Sequence, residues 1–390
     1  MTLVVPEQPQ DAGWMRRALA LAGQSLFITT PNPRVGCVIV RHEQVIAEGA
    51  TAAAGGPHAE AAALAQLRAR GETAAGATVY VTLEPCSHTG RTPPCVDALI
   101  AARPARVVMA MGDPNPLVNG QGIQRLRQAG IAVTVNVELE AALDLNPGFV
   151  SRMVHAKPWV WAKMAASLDG RSSLPNGVSQ WITAEPARQD GHVWRARSCA
   201  ILSGIGTVLA DDPQLNVRGV DTPRQPWKII IDADLRLPRT ARLIDGARVI
   251  VFHASRQTDR IHDLQSVGVE CVALPDAHGK VDIPALLRWL AEAGVNELHV
   301  EAGERLTGAL IEAGAVDELL CYVAPMLLGE GRGIARLPVN TSLDQALRYQ
   351  FIDVSMVGPD VRLRARDAAR FADLLERVRL APVLGADVPH

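Results

Sequence analysis

The sequence predicts two successive α/β domains in one chain, the first of them built around a metal centre. Three observations lead there. Runs of β-branched and apolar residues alternate with helix-patterned stretches along most of the 390 residues. The alternation closes near Pro147-Gly148 and begins afresh at Pro158-Trp159-Val160-Trp161-Ala162-Lys163. Between Pro57 and Cys95, one histidine, one glutamate and two cysteines stand in the order of a metal site.

Trp14 to Ala22 has the apolar spacing of a helix, and Val35–Val40 and Val45–Gly49 read as a hairpin around Arg41-His42-Glu43-Gln44. A helix from His58, a strand at Val79–Leu83, a helix after Cys95 and a strand at Arg106–Ala110 follow. A short helix at Gly122–Ala129 and a strand at Ile131–Val135 close the first unit. In the second, strands are expected at Pro158–Lys163, Lys228–Asp232, Arg248–Phe252 and Glu297–Glu301, with helices at Ile283–Ala293 and Glu304–Ala313. The expected limits are residues 12–150 and 157–366, leaving 367–390 as a C-terminal tail. Within that tail Ala368–Leu380 can form one amphipathic helix, and the last ten residues are expected to fray.

Composition narrows the function classes. A hydrophobic content of 48% with 21% charged residues is that of an ordinary soluble protein. A net charge of −2 and 4% aromatics argue against nucleic acid as a partner. No apolar run approaches the ~18 residues of a membrane span, and no signal core follows Met15-Arg16-Arg17. Six cysteines in so long a chain make no disulfide framework. Cys37, Cys199, Cys271 and Cys321 lie in apolar runs and read as buried free thiols, which fits a reducing cytoplasm.

The remaining two cysteines carry the chemistry. Pro57-His58-Ala59-Glu60 is followed by Glu84-Pro85-Cys86 and Pro93-Pro94-Cys95. His58, Cys86 and Cys95 offer zinc one neutral nitrogen and two thiolates, leaving the fourth tetrahedral position open to water. Zinc lowers the pKa of such a water toward neutrality, and Glu60 is the acid/base that carries its proton to a leaving amine. His-x-Glu followed by Pro-Cys is the zinc-deaminase signature. Gly55-Gly56-Pro57 marks a helix start, so Glu60 can reach back toward the ligands. A closed structural zinc site, with His88 or Cys37 as fourth ligand, is the competing reading. It leaves Glu60 without a task.

Eight residues separate the cysteines where the common signature has two. That gap, together with Thr30-Pro31-Asn32-Pro33-Arg34-Val35-Gly36-Cys37 and Asp113-Pro114-Asn115-Pro116, resembles the deaminase half of the bifunctional riboflavin-biosynthesis deaminase/reductases. Ala166-Ser167-Leu168-Asp169-Gly170-Arg171, Ser179-Gln180-Trp181-Ile182-Thr183, Thr207–Pro213 and Val300-Glu301-Ala302-Gly303 resemble the reductase half. The resemblance runs from about Ala12 to Arg366 in the family's domain order. It implies a cytidine-deaminase-like α/β/α domain followed by a dihydrofolate-reductase-like α/β domain. It also implies two reactions. The first is hydrolytic removal of the 2-amino group of 2,5-diamino-6-(5-phosphoribosylamino)pyrimidin-4(3H)-one. The second is NADPH-dependent reduction of the ribosyl group, giving 5-amino-6-(5-phosphoribitylamino)uracil. One zinc ion per chain and NADPH are the implied cofactors, a small phosphorylated pyrimidine the partner, and a homo-oligomer the expected assembly.

Residue roles follow from the matched motifs. Asn32 can bond both donor and acceptor edges of a pyrimidine, and His88 and Arg91 can meet the ribose or phosphate. By motif position, Ala165, Trp181, Thr207 and Asp211 resemble cofactor contacts. So does Gly303-Glu304-Arg305-Leu306-Thr307-Gly308-Ala309, a strand-to-helix turn whose free N–H groups attract anions. No Rossmann fingerprint is present, and Gly204-Ile205-Gly206 begins one without finishing it. Ser179, Arg195, Leu215, Arg218 and Glu301 resemble substrate contacts, the two arginines as phosphate forks. Lys163 is expected to place a charge beside the reacting sugar. Asp169 either orients it or is a turn residue before Gly170. Two rival readings remain: an editing deaminase whose second half binds RNA, and a deaminase with a non-catalytic second half. The first lacks a basic face, and the second would be expected to have lost Arg195, Arg218 or Glu301.

Overall fold

In the computed structural model, which describes residues 5–87, 94–115 and 118–380, the chain divides into two compact units. One comprises the residues up to His155 together with those from Ala372 onward, and the other Ala156–Phe371.

The first unit runs α1 (Asp11–Gln24), β1 (Gly36–Arg41), β2 (Gln44–Ala50), α2 (Ala59–Ala69), β3 (Thr78–Val81), α3 (Cys95–Ala102), β4 (Arg106–Met109), α4 (Gln121–Gln128), β5 (Ala132–Thr134), α5 (Leu139–Leu145) and α6 (Pro147–His155). Its five strands lie in the order β2-β1-β3-β4-β5. β1 is antiparallel to both β2 and β3, whereas β3, β4 and β5 are parallel. The hairpin turns through His42 and Glu43, both left-handed at φ 50° and 57°, the geometry whose twist matches two paired strands. At Gly49 a β-carbon would stand 2.2 Å from the carbonyl oxygen of Ala59. A bare backbone there lets the first turn of α2 lie directly on β2, which sets the position of His58.

The second unit contains β6 (Trp159–Ser167), β7 (Arg171–Ser173), α7 (Glu185–Arg197), β8 (Ala200–Gly204), α8 (Ile205–Asp211), β9 (Trp227–Ile231), β10 (Val249–His253), α9 (Thr258–Gln265), β11 (Val269–Ala273), α10 (Ile283–Glu292), β12 (Glu297–Val300), α11 (Glu304–Glu312), β13 (Glu318–Ala324), β14 (Arg332–Gly333), β15 (Gln350–Val357) and β16 (Asp360–Arg366). Nine strands form one sheet in the order β11-β10-β9-β8-β12-β6-β13-β16-β15, parallel as far as β13 and antiparallel beyond it. Alternate residues of the parallel strands feed two apolar layers. Leu202, Ile229, Ile250 and Phe252 pack with Leu286, Leu290 and Leu310, while Ile201, Ile230, Val249 and Val251 pack with Val208 and Leu264. Helices cover both faces, so these strands are predominantly apolar.

Two expectations change. The helix expected at Ala368–Leu380 forms as α12 (Ala368–Val378), but its residues from Ala372 on belong to the first unit and not to a separate tail. Leu374, Val378 and Leu380 are buried, Gly112 N–H donates to the Val378 carbonyl, and Asn136 bonds both backbone groups of Leu380. The apolar stripe of an amphipathic helix needs cover, and the first unit supplies it. Of the four thiols read as buried, Cys37 and Cys199 are, but Cys271 and Cys321 are half-buried. The last ten residues lie outside the described ones, and no described helix is long and apolar enough to cross a membrane.

Candidate active site

Three loops of the first unit meet at its metal-type cluster. His58 is the N-cap of α2, Cys86 follows β3, and Cys95 opens α3. The His58 Nδ1 lies 3.7 Å from Cys86 Sγ and 3.4 Å from Cys95 Sγ, and the Cys95 N–H donates to Cys86 Sγ at 3.3 Å. Zinc–ligand bonds of about 2.0–2.3 Å at tetrahedral angles place donor atoms about 3.6–3.8 Å apart, so the set is already near the spacing of a zinc site. The Cys95 thiol donates toward Cys86, which holds the Cys86 sulfur down at about 4 and pushes Cys95 up. Two sulfurs sharing one proton are the donor arrangement that a divalent cation completes. The positive ends of α2 and α3 favour the thiolates further.

Glu60 sits in the first turn of α2 with 4% of its surface exposed. Burial pushes its carboxyl up to about 7. It lines a cavity of about 430 Å³ together with His58, Cys86, Asn32, Asp113 and Asn115. Cys37 lies buried on β1 and is not among the described groups whose donor atoms converge, so it does not close the site. Two residues before Cys86, Glu84 also lines the cavity. Its carboxylate accepts from the backbone N–H of Asp113, Gly120, Gly122 and Ile123, tying the loop after β4 to the strand end that carries Cys86. The residues Phe149, Arg152 and Met153 of α6 complete the wall. No motif pointed to these three, because a helix face far downstream in the chain shows its partner only in three dimensions. His88 and Arg91 lie outside the described residues.

In the second unit the predicted residues gather at the carboxyl ends of three neighbouring parallel strands, β8, β12 and β6. Such an edge is where open α/β sheets bind ligands. Ala165 and Lys163 come from β6, and Glu301 and Gly303–Ala309 follow β12. Thr207 and Asp211 lie on α8, directly after β8. Gly303 is the N-cap of α11, and a β-carbon there would meet nothing within 4 Å, so its backbone is open to an approaching anion. Gly308 is different. A β-carbon would stand 2.0 Å from the Arg336 carbonyl oxygen, so that glycine serves close packing of α11.

Glu301 is gripped by Arg195, which donates from Nε at 2.5 Å and from Nη2 at 2.7 Å. The Arg195 Nη1 donates to the Asn216 carbonyl oxygen at 2.9 Å. Desolvation would raise the Glu301 carboxyl, but Arg195 and the His299 ring, 3.3 Å away, hold it well below the carboxylate range. Three of the Arg195 donors are therefore engaged within the protein, which leaves little of its fork for a phosphate. Arg218 is exposed; its guanidinium donates to the side-chain oxygens of Gln214 and Asn216, and its backbone N–H donates to His192 Nδ1. Lys163 is desolvated, which lowers its pKa, and lies 5.8 Å from the centre of the Tyr322 ring. Asp169 accepts from Ser167 Oγ and from the N–H groups of Leu328 and Gly329, so it anchors a turn. Those bonds lower its carboxyl to about 2. Ser179 and Trp181 lie on the loop before α7, where the Arg188 guanidinium stacks 4.6 Å from the exposed Trp181 ring, and Leu215 is buried at φ 47° beside Arg218.

Fold and sites define a zinc-binding pyrimidine deaminase joined to a reductase. Residues 8–111 match the cytidine and deoxycytidylate deaminase zinc-binding region, and residues 158–363 match the RibD C-terminal domain. The riboflavin biosynthesis protein RibD of Escherichia coli K12 is 45% identical over 367 residues, covering 91% of this chain and 98% of that protein. Its Haemophilus influenzae counterpart is 42% identical over 373 residues, covering 91% and 96%. Acinetobacter baumannii RibD, 42% identical, superposes with a TM-score of 0.84 over 92% of this chain and 99% of that one. A Thermotoga maritima diaminohydroxyphosphoribosylaminopyrimidine deaminase/5-amino-6-(5-phosphoribosylamino)uracil reductase, 32% identical, gives 0.82 over 92% and 98%. The chain belongs to the RibD family of bifunctional riboflavin-biosynthesis enzymes. Its first unit is the zinc-dependent deaminase and its second the NADPH-dependent reductase, which removes the reading of a non-catalytic second half.

Proposed function

We propose that Glu60 is the proton carrier of hydrolytic deamination in the first unit and that His58, Cys86 and Cys95 are the zinc ligands. The observation that carries this reading is a buried carboxylate sharing one cavity with the three converging donors. Zinc held there supplies a Lewis acid and a water activated near neutral pH. The Glu60 carboxylate takes the proton from the attacking water and delivers it to the departing 2-amino nitrogen, which leaves as ammonia. The Asn32 amide, on the cavity wall, orients the ring by accepting and donating along its polar edge.

In the second unit Gly303–Ala309 is read as the pyrophosphate cradle of NADPH, with Ala165, Trp181, Thr207 and Asp211 as further cofactor contacts. Ser179, Leu215, Arg218 and Glu301 are assigned to the substrate, with Arg195 holding Glu301 in place and Lys163 setting a positive charge near the reacting carbon. The substrate is read as the phosphorylated diaminopyrimidine riboside. Incubating the purified protein with it and either NADPH or NADH, with mass analysis of the products, tests both halves. Failure to lose ammonia, or loss without subsequent gain of two hydrogens, overturns the corresponding assignment.

A homo-oligomer in the cytoplasm completes the reading. The six cysteines are unpaired thiols, as a reducing compartment keeps them. Strand β15 ends the large sheet, and Ile352, Val354 and Met356 project from it exposed. An exposed apolar edge of this kind is stable when covered by another chain. Sedimentation velocity checks it, and a monomer at micromolar concentration refutes it.

A further inference from the structure

One face of α7 holds the backbone of the segment that carries Arg218. Leu215 and Val217 of that segment are buried, and Gln214, Asn216 and Arg218 alternate with them. Gln189, His192 and Arg195, each three residues on from the last along α7, meet it one backbone group after another. Gln189 Nε2 donates to the Gly219 carbonyl oxygen at 2.9 Å, the Arg218 N–H donates to His192 Nδ1 at 3.2 Å, and Arg195 Nη1 donates to the Asn216 carbonyl oxygen at 2.9 Å. Gln225 serves the residue between, accepting from the Val217 N–H and donating to its carbonyl. Gly219 is left-handed at φ 68°, and a β-carbon there would stand 2.5 Å from Gln189 Nε2, so the segment turns directly against the helix. The Arg218 guanidinium is only partly engaged. Both of its bonds, to Gln214 and Asn216, are made by Nη1, so Nε and Nη2 bond no protein group among the described residues. They form the edge that a bidentate acceptor takes. His192 accepts at Nδ1, which puts its proton on Nε2. Burial, then the charges of Arg195 and Arg218, push its pKa down to about 4 against the pull of Glu301 and the Asn216 carbonyl, so the accepting ring stays uncharged near neutral pH.

We propose that His192 is a positioning residue of the reductase: by accepting the Arg218 N–H it fixes the backbone of that residue and so places the free edge of its guanidinium for the substrate. This rests on the assignment of Arg218 to the substrate. With the backbone held by α7 and Nη1 held by Gln214 and Asn216, the long side chain is fixed at both ends, and less freedom is lost when a ligand binds. The same helix grips Glu301 through Arg195, so α7 registers two substrate residues against each other, one through a backbone and one through a carboxylate.

The test measures reduction of the already deaminated ribosylaminouracil phosphate by NADPH in the full-length protein. His192→Phe keeps a flat ring and loses the acceptor. It is expected to raise the Michaelis constant for the substrate about three- to tenfold, while the constant for NADPH stays within about twofold and kcat falls less than the substrate constant rises. His192→Asn sets an amide oxygen close to where Nδ1 stood and should recover most of the loss. Because His192 acts through Arg218, the two losses should not add. His192→Phe combined with Arg218→Ala should have a substrate constant within about twofold of that of Arg218→Ala alone. Where His192→Phe does not fold, Gln189→Leu at its exposed position is judged by the same two criteria, with an expected rise of about two- to fivefold and none beyond that of Arg218→Ala when the two are combined. An unchanged substrate constant in His192→Phe, equal rises for substrate and NADPH, no recovery in His192→Asn, or losses that add in the double variant overturns the proposal. If Arg218→Ala itself leaves the substrate constant unchanged, the assignment of Arg218 to the substrate is what fails, and the proposal falls with it.

Discussion

Removing the Arg195 guanidinium should destabilise the second unit in a manner set by pH. Both partners of the Arg195–Glu301 pair are mostly withdrawn from water, at 15% and 17% side-chain exposure, and two short charge-assisted bonds join them. In Arg195→Ala the Glu301 carboxylate keeps the His299 ring and the longer-range attraction of Lys163 and Arg218 but loses its two charge-assisted bonds, and breaking a buried pair by removing one member costs roughly 3–5 kcal/mol. The carboxylate has an escape, because it can take up a proton. At pH 7 that costs about 3.5 kcal/mol, the distance from its ordinary value of 4.5 multiplied by ~1.4 kcal/mol per pH unit. At pH 5 the same escape costs under about 1 kcal/mol. In the wild-type protein the folded pKa of Glu301 is lowered, so the pair stabilises above about pH 4.5 and loses that contribution as pH falls toward the folded value. The deficit of Arg195→Ala should therefore be about 3 kcal/mol at pH 7 and shrink to about 1 kcal/mol at pH 5. Six of the seven tryptophans lie in the second unit, so urea unfolding followed by tryptophan fluorescence reads that unit. Adding Glu301→Gln to Arg195→Ala should recover most of the loss at pH 7 and little at pH 5. A deficit equal at both pH values, or no recovery in the double variant, would refute the electrostatic account and leave packing as the cause.

Glu60→Gln should retain about one zinc per chain by metal analysis and lose deamination at least ~100-fold. The same preparation should still reduce the already deaminated ribosylaminouracil phosphate with NADPH, since the reductase residues lie in the other unit; loss of both activities in a folded variant would contradict separate sites. Arg218→Ala should raise the Michaelis constant of the reductase for its phosphorylated substrate about ten- to a hundredfold and leave that for NADPH unchanged. A defect confined to NADPH would move Arg218 to the cofactor.

Much of this was legible in the chain itself. A zinc deaminase needs a particular donor set next to a carboxylate, and only a few residue types supply it, so His58, Glu60, Cys86 and Cys95 announce the chemistry wherever the chain folds. The β/α alternation announces two α/β units because strands buried on both faces read as near-continuous apolar runs, as Ile229-Ile230-Ile231 and Val249-Ile250-Val251-Phe252 do. The hairpin at His42-Glu43 was readable from its two flanking runs for the same reason of local patterning.

What the chain alone could not display are properties of pairs far apart in sequence. That Arg195 grips Glu301, 106 residues away, is visible only in three dimensions. Gly308 reads as part of a phosphate loop until the Arg336 backbone is found against it. The final helix reads as a tail until Asn136, Gly112 and the buried Leu380 draw its end into the first unit. Arg152 carries no motif at all, and only the fold brings its helix face to the cavity. Which donors a side chain has is set by its covalent structure. Which acceptor satisfies them in a desolvated interior is decided by the tertiary fold.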